Sequence, residues 1–321
     1  MRRVAGLVLS ALGTFLIVLA LLTRFLVVGE AVKFPLNENT VSTLVANNAS
    51  YFSPSTASER TGATLEDTLT TQGDSAAGSS GTAVWNQFNY IYDRTNLQTV
   101  QYSTERLAFD RSSGELVNCC GTAIGTNTSA HVSGLGYVWP LDAQPKTYQV
   151  YNTTLLKPEP AVYTGTATVL GEKTYKYVET IAPTQAGTQT VPGALIGQPS
   201  SPSVTLPEYY SSTTTEWVDP ITGAPVKGST SQHVYLQDSS GSEVLTLINA
   251  TFNTTPATVA STVHTAKNYD NQIDLVSVII PVVVGLVGLV LLAMGLVLFV
   301  IGRQETEEEY EDEVEAGEVP A

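Results

Sequence analysis

Cysteine is almost missing from this chain: only Cys119 and Cys120 occur among 321 residues. A scaffold held together by many disulfides is therefore excluded. Charge is scarce too, at 14% against about 25% in an average globular chain. Basic charge is the scarcer sign, with 15 Lys+Arg facing 30 Asp+Glu for a net charge of −15. Phosphate binding needs clustered Lys and Arg, so nucleic acid is not an expected partner. The three histidines, His131, His233 and His264, lie far apart in the sequence and show no metal-ligand spacing. There is no G-x-x-x-x-G-K-[ST], G-x-S-x-G, H-E-x-x-H or C-x-x-C motif. No catalytic residue, cofactor or metal site is expected, and the chain reads as a non-enzyme.

What is present begins with two long uncharged runs. Val4 to Thr23 holds 20 residues without a charge, after Arg2 and Arg3. Twenty helical residues rise about 30 Å, the thickness of a hydrocarbon core. Gly29-Glu30-Ala31 resembles a signal-peptide cleavage site, but the run exceeds the roughly 7–15 residues of a signal core. Leu275 to Ile301 is a second run of 27 uncharged residues. Small residues recur in both, at Gly6, Ser10 and Gly13 and at Gly285, Gly288 and Gly295, where another helix can approach closely. The expected layout is a short N-terminus (1–3), a first span (4–28), a large middle domain (29–272), a second span (273–302) and a tail (303–321). The tail carries nine carboxylates between Glu305 and Glu318, which predicts a disordered segment able to meet a basic cytoplasmic partner. Arg2, Arg3 and Arg303 against Arg24, Lys33 and Lys267 give only a slight positive-inside bias. The layout predicts a two-pass plasma-membrane protein with both termini in the cytoplasm and the middle domain outside.

The middle domain is rich in Thr, Ser, Tyr and Val and alternates with period two, which suits antiparallel strands with one wet face. Ala161 to Thr180 reads as a hairpin around Gly171-Glu172, and Ser229 to Phe252 as another around Asp238 to Gly241. Asp110 to Gly114 and Asp219 to Gly223 repeat one pattern: an apolar residue, Asp, then Gly four residues on. Two readings stand, a domain of two similar β halves or unrelated hairpins sharing good turn chemistry. Ser53 to Thr82 and Pro183 to Pro207 read as long loops, and Thr255-Pro256 as the start of a helix. With no third cysteine, Cys119 and Cys120 form a vicinal disulfide, remain two buried thiols, or link to another chain.

Several segments together resemble a known group of proteins. They are Ala83-Val84-Trp85, the ERLAFDRSSGELVNCCG run (105–121), the GLGYVWPLDAQPKTYQVYN run (134–152), Tyr175 to Val178, Tyr209-Tyr210, and Glu216 to Gly223. The chain is similar to actinobacterial two-pass membrane proteins of unknown function that are often labelled PorA-family porins. The resemblance spans nearly the whole chain and implies an envelope protein, with no catalytic residues to carry over. The expected function is a β-rich domain, mainly antiparallel and held by two transmembrane helices, that binds a partner or envelope component. Beyond the lipid bilayer, expected partners are an envelope lipid or another envelope protein. A lipid-binding or lipid-conducting role and porin-type permeation are the alternatives; the former requires a large apolar cavity in the β domain.

Overall fold

A computed structural model of the chain describes residues 2–28 and 32–315. The Gly29-Glu30-Ala31 segment and the last six residues of the acidic tail lie outside the described residues. Two compact units are present, one drawn from both chain ends (Met1–Lys33 with Tyr269–Ala321) and one comprising Phe34–Asn268. Among the described residues the α-helices are α1 (Arg2–Leu22), α2 (Pro256–Asp274) and α3 (Ile280–Glu315), with π-helical turns at Thr23–Val27 and Leu275–Ile279.

In the first unit α1 and α3 pack antiparallel along their small residues. A Cβ on Gly13 would sit 2.5 Å from the Leu292 nitrogen and 2.6 Å from the Gly288 oxygen. Gly6 meets Gly295 and Phe299 in the same way, and Ala20 lies against Gly285. Gly6, Gly13 and Ala20 are the buried positions of α1, seven residues apart, so one stripe faces the partner helix throughout. The Arg3 guanidinium lies over the Phe299 ring, which places the starts of α1 and the far part of α3 at the same end of the pair. The opposite faces carry exposed Leu7, Val8, Leu12, Phe15, Leu286, Val287 and Leu289. Both helices are long and apolar enough to cross a membrane. α3 continues to Glu315, into the acidic stretch expected to be disordered. Glu is a good helix former, and extending an existing helix avoids the cost of nucleating one.

The second unit is an antiparallel sheet of twelve strands: β1 (Asn39–Ser53), β2 (Ser58–Gly73), β3 (Thr82–Asp93), β4 (Gln98–Asp110), β5 (Leu116–Val117), β6 (Ala123–Ile124), β7 (Tyr148–Asn152), β8 (Lys157–Val169), β9 (Glu172–Val191), β10 (Val204–Val218), β11 (Pro225–Gln237) and β12 (Glu243–Thr254). The spatial order is β5-β4-β3-β2-β1-β12-β11-β10-β9-β8-β7, with β6 also on β4. The run β1 to β5 and the run β7 to β12 are each a meander of sequence neighbours, and the two meet where β1 pairs with β12. The predicted hairpins at Gly171-Glu172 and Asp238–Gly241 join β8 to β9 and β11 to β12.

Both expected long loops are corrected by the structure. Most of Ser53 to Thr82 is the strand β2, and Pro183 to Pro207 is the far end of the β9–β10 hairpin around a 3₁₀ turn at Gly193–Ile196. Thr is β-branched and fits a strand once neighbours pair with it. Pro183 falls where the β9–β10 register slips, so its missing N–H breaks no ladder. Leu195 and Ile196 pack onto the cluster of Val191, Leu206 and Leu236.

Period-two alternation separates the faces. One face buries Ala46, Tyr51, Ala63, Leu65, Ile91, Ile248, Ala250 and Phe252 in a single cluster, each large side chain contributing roughly 1.5–3 kcal/mol. The other face carries hydroxyl and amide rungs: Thr251 donates to Ser231 at 3.1 Å and Ser229 to Asn253 at 2.8 Å. Thr180 and Thr213 stand exposed in line with them. The first turns of α2 cover part of the sheet through Val259, Val263 and Ala266 against Val169 and Val226. Its start is capped as expected, Thr255 Oγ1 accepting from the Thr258 N–H at 3.3 Å.

Candidate functional site

Between β5 and β7 the chain runs as a strap, residues 118–147, whose short β6 pairs with β4 before the rest departs from the regular strands. The strap is held by the two repeated turns. Asp110 Oδ1 accepts from the Ser112 and Ser113 N–H groups at 2.9 and 2.8 Å, and Gly114 donates back to the Asp110 carbonyl at 3.0 Å. Asp219 Oδ1 accepts from Ile221 and Thr222 at 3.0 and 2.8 Å, and Gly223 donates to the Asp219 carbonyl at 2.9 Å. Gly114 and Gly223 have φ of 72° and 68°, the left-handed conformation that glycine takes without penalty. Asp93 to Leu97 and Asn152 to Leu156 form similar turns without glycine. Glycine is retained at 114 and 223 because the strap passes there: a Cβ on Gly114 would lie 2.9 Å from the Val138 oxygen, and one on Gly223 would overlap the Trp139 carbonyl. Trp139 N–H donates to Gly223 O at 3.0 Å, Leu141 N–H to Ser112 O at 3.2 Å, and Ala143 N–H to Pro220 O at 2.7 Å. One strap thus docks on both turns.

The same strap joins the two edges of the sheet. Leu116 N–H donates to Gly134 O, Leu135 N–H to Gln149 O, and Tyr151 N–H to Leu135 O, all at 2.8 Å. Leu135 bridges Glu115 in antiparallel and Val150 in parallel fashion. The sequence reading missed Gly134 and Leu135 in this role. The Gly134-Leu135-Gly136 pattern is a weak local signal for a close backbone approach.

Cys119 and Cys120 lie at the start of the strap and are joined as a vicinal disulfide, with Cα atoms 3.8 Å apart. Cys120 has a positive φ of 61° and precedes Gly121 at 81°. Arg106 Nε donates to the Cys120 carbonyl at 3.2 Å while its other nitrogens hold Asn86 and Asp74 at 2.9 Å. The Asn118 side chain exchanges two 2.8 Å hydrogen bonds with the Val132 backbone. A surface dish of about 470 Å³ opens beside the disulfide, and another of about 450 Å³ flanks Gly134 and Leu135. Neither is an enclosed apolar cavity.

Carboxylates also face the core side of the second half. Glu179 on β9 lies opposite Thr214 on β10, with Glu216 two residues on. Trp139 Nε1 donates to Glu216 at 2.9 Å and stacks on Tyr177 at 3.9 Å. Burial, then the neighbouring Glu216, pushes Glu179 up to about 7; burial also raises Glu216. In the first half, burial raises Asp67 to about 6 against the opposing hydrogen bond from Asn89. The histidines are not brought together: His131 lines the disulfide dish, His233 pairs with Glu243 at 3.1 Å, and His264 bonds Asn268.

An antiparallel β domain together with two apolar helices that pack on small residues defines a class, a membrane protein carried by helices. Within that class the chain belongs to the Porin PorA family, whose model matches residues 5–297. No curated protein matches the sequence.

Proposed function

We propose that this chain is a non-enzymatic envelope protein, anchored in the plasma membrane by α1 and α3 with both termini in the cytoplasm. Its β domain lies outside the cytoplasm and binds a partner or an envelope component. The observation that carries the reading is the contrast of surfaces. Exposed leucines and valines cover the helix pair, while the outer face of β9 to β12 carries Thr, Ser and Asn rungs suited to water. Protease added outside intact cells is expected to digest residues 34–268 and to spare the Glu-rich end; the opposite pattern overturns the reading. A lipid carrier would need an enclosed apolar cavity, and neither strap-side dish is one.

A second reading, permeation, is favoured by the family itself. A porin barrel meets lipid with apolar strand faces, and Thr180, Thr213, Ser231 and Thr251 do not provide one. A pore would have to come from several helix pairs assembled around an aqueous path. Purified protein in planar bilayers decides this: discrete conductance steps support permeation, and silence across a range of protein loads removes it.

A further inference from the structure

We propose that the Cys119–Cys120 disulfide is a thiol-exchange site, taking a small thiol in the adjoining dish. Three independent features converge there. First, the peptide bond between the two cysteines fixes their Cα atoms at 3.8 Å, closer than the roughly 4.4–6.8 Å of ordinary disulfides, so the bridge closes a tight ring, and bonds that depart from ordinary geometry are the more reducible ones. Second, Cys120 is exposed and Cys119 half-buried, so a thiolate has access to the second sulfur. Third, the dish of about 470 Å³ is bordered by Thr128, Ser129, Ala130 and His131, which leaves room for a molecule the size of an amino acid or small peptide.

The chemistry balances with the thiol alone. A thiolate RS⁻ attacks Cys120 Sγ, an RS–S bond forms, and the Sγ–Sγ bond breaks with its electron pair going to Cys119. The Cys119 thiolate takes a proton, for which His131 is the ionisable side chain other than the cysteines on the dish wall. A second RS⁻ then attacks the thiol-derived sulfur of the mixed disulfide, releasing RSSR and the Cys120 thiolate, which is protonated in turn. The sum is two RSH oxidised to RSSR and one protein disulfide reduced to two thiols. Arg106 holds the Cys120 carbonyl, and the Asn118–Val132 pair pins the strap, so the turn keeps its place while the sulfurs exchange.

The test uses the full chain in detergent micelles, with free cysteine as the thiol, iodoacetamide as the trap and intact-mass detection. Native protein is expected to take no alkyl group before cysteine is added. After millimolar cysteine it is expected to take two, with a transient mass increase of one cysteinyl group on Cys120. His131→Ala is expected to slow that conversion several-fold without changing alkylation after denaturation. Two alkyl groups in the absence of cysteine, or none in native protein at a cysteine level that opens the bond once the chain is denatured, overturns the proposal. An unchanged rate in His131→Ala overturns the proton-donor role. These readouts do not depend on which side of the membrane the β domain occupies.

Discussion

Asp110 and Asp219 each place one carboxylate oxygen, Oδ1, on the backbone N–H groups two and three residues ahead, and both turns so formed grip the strap at Val138 to Ala143. They differ in burial. Asp219 is 2% exposed, whereas Asp110 is half-buried.

That difference predicts unequal losses. Asp219→Ala removes a buried acceptor from two N–H groups and the Thr222 hydroxyl and is expected to cost about 2–4 kcal/mol, with Asp110→Ala nearer 1–2. Gly223→Ala should exceed Gly114→Ala, since the added methyl meets the Trp139 carbonyl in a left-handed backbone. Urea unfolding of the four variants, followed by tryptophan fluorescence, checks the ranking.

Closure through Leu135 makes a local prediction. The amides of Leu116, Leu135 and Tyr151 should exchange slowly, because each donates to a carbonyl across the junction. Gly134→Ala puts a Cβ 2.5 Å from the Gln149 oxygen at φ of 79°. Hydrogen exchange should then quicken at these three amides while β2 and β3 stay protected. Uniform acceleration across the sheet would show that the junction is not a separate unit.

Acidity should stabilise the β domain over one window. Glu179 and Asp67 have raised values of about 7 and about 6 in the folded chain, against about 4 when unfolded. Between about pH 4 and 7 the folded state therefore holds more protons, so stability is greatest at the acid end and falls as pH rises. Each group accounts for up to about 3 kcal/mol of that slope. Glu179→Gln and Asp67→Asn should each flatten the profile of midpoint against pH. A profile that rises across the window in wild-type protein contradicts the burial of these groups.

The helix pair should be sensitive on one stripe only. Gly13→Leu and Gly288→Leu drive a side chain into the opposite backbone and should lower stability in detergent by about 1–3 kcal/mol. Leu12→Ala, on an exposed position, should change it little. Thermal melts in one detergent compare the three directly.

The two apolar helices were legible because charge-free runs of that length have one economical home, and the hairpins because Asp and Gly mark positions that few residues occupy. The loops assigned to Ser53 to Thr82 and Pro183 to Pro207 were not, since Ser, Thr and Pro look alike in a loop and at a strand paired elsewhere. The meeting of Glu179 with Glu216, and of Leu135 with both Glu115 and Val150, depends on strand register and on chain distant in sequence. No local pattern encodes either. The repeated Asp-to-Gly turns were visible as a motif, yet only the strap explains why those two positions retain glycine.

The central rung of the sheet, Leu44 of β1 against Thr254 of β12, unites the first strand made with the last. Until synthesis is nearly complete, β1 has β2 on one side and an open flank on the other, offering unpaired amides to any passing chain. Such distant contacts form slowly. The exposed stage for this protein is thus its birth, while β1 waits for the strand that closes its flank.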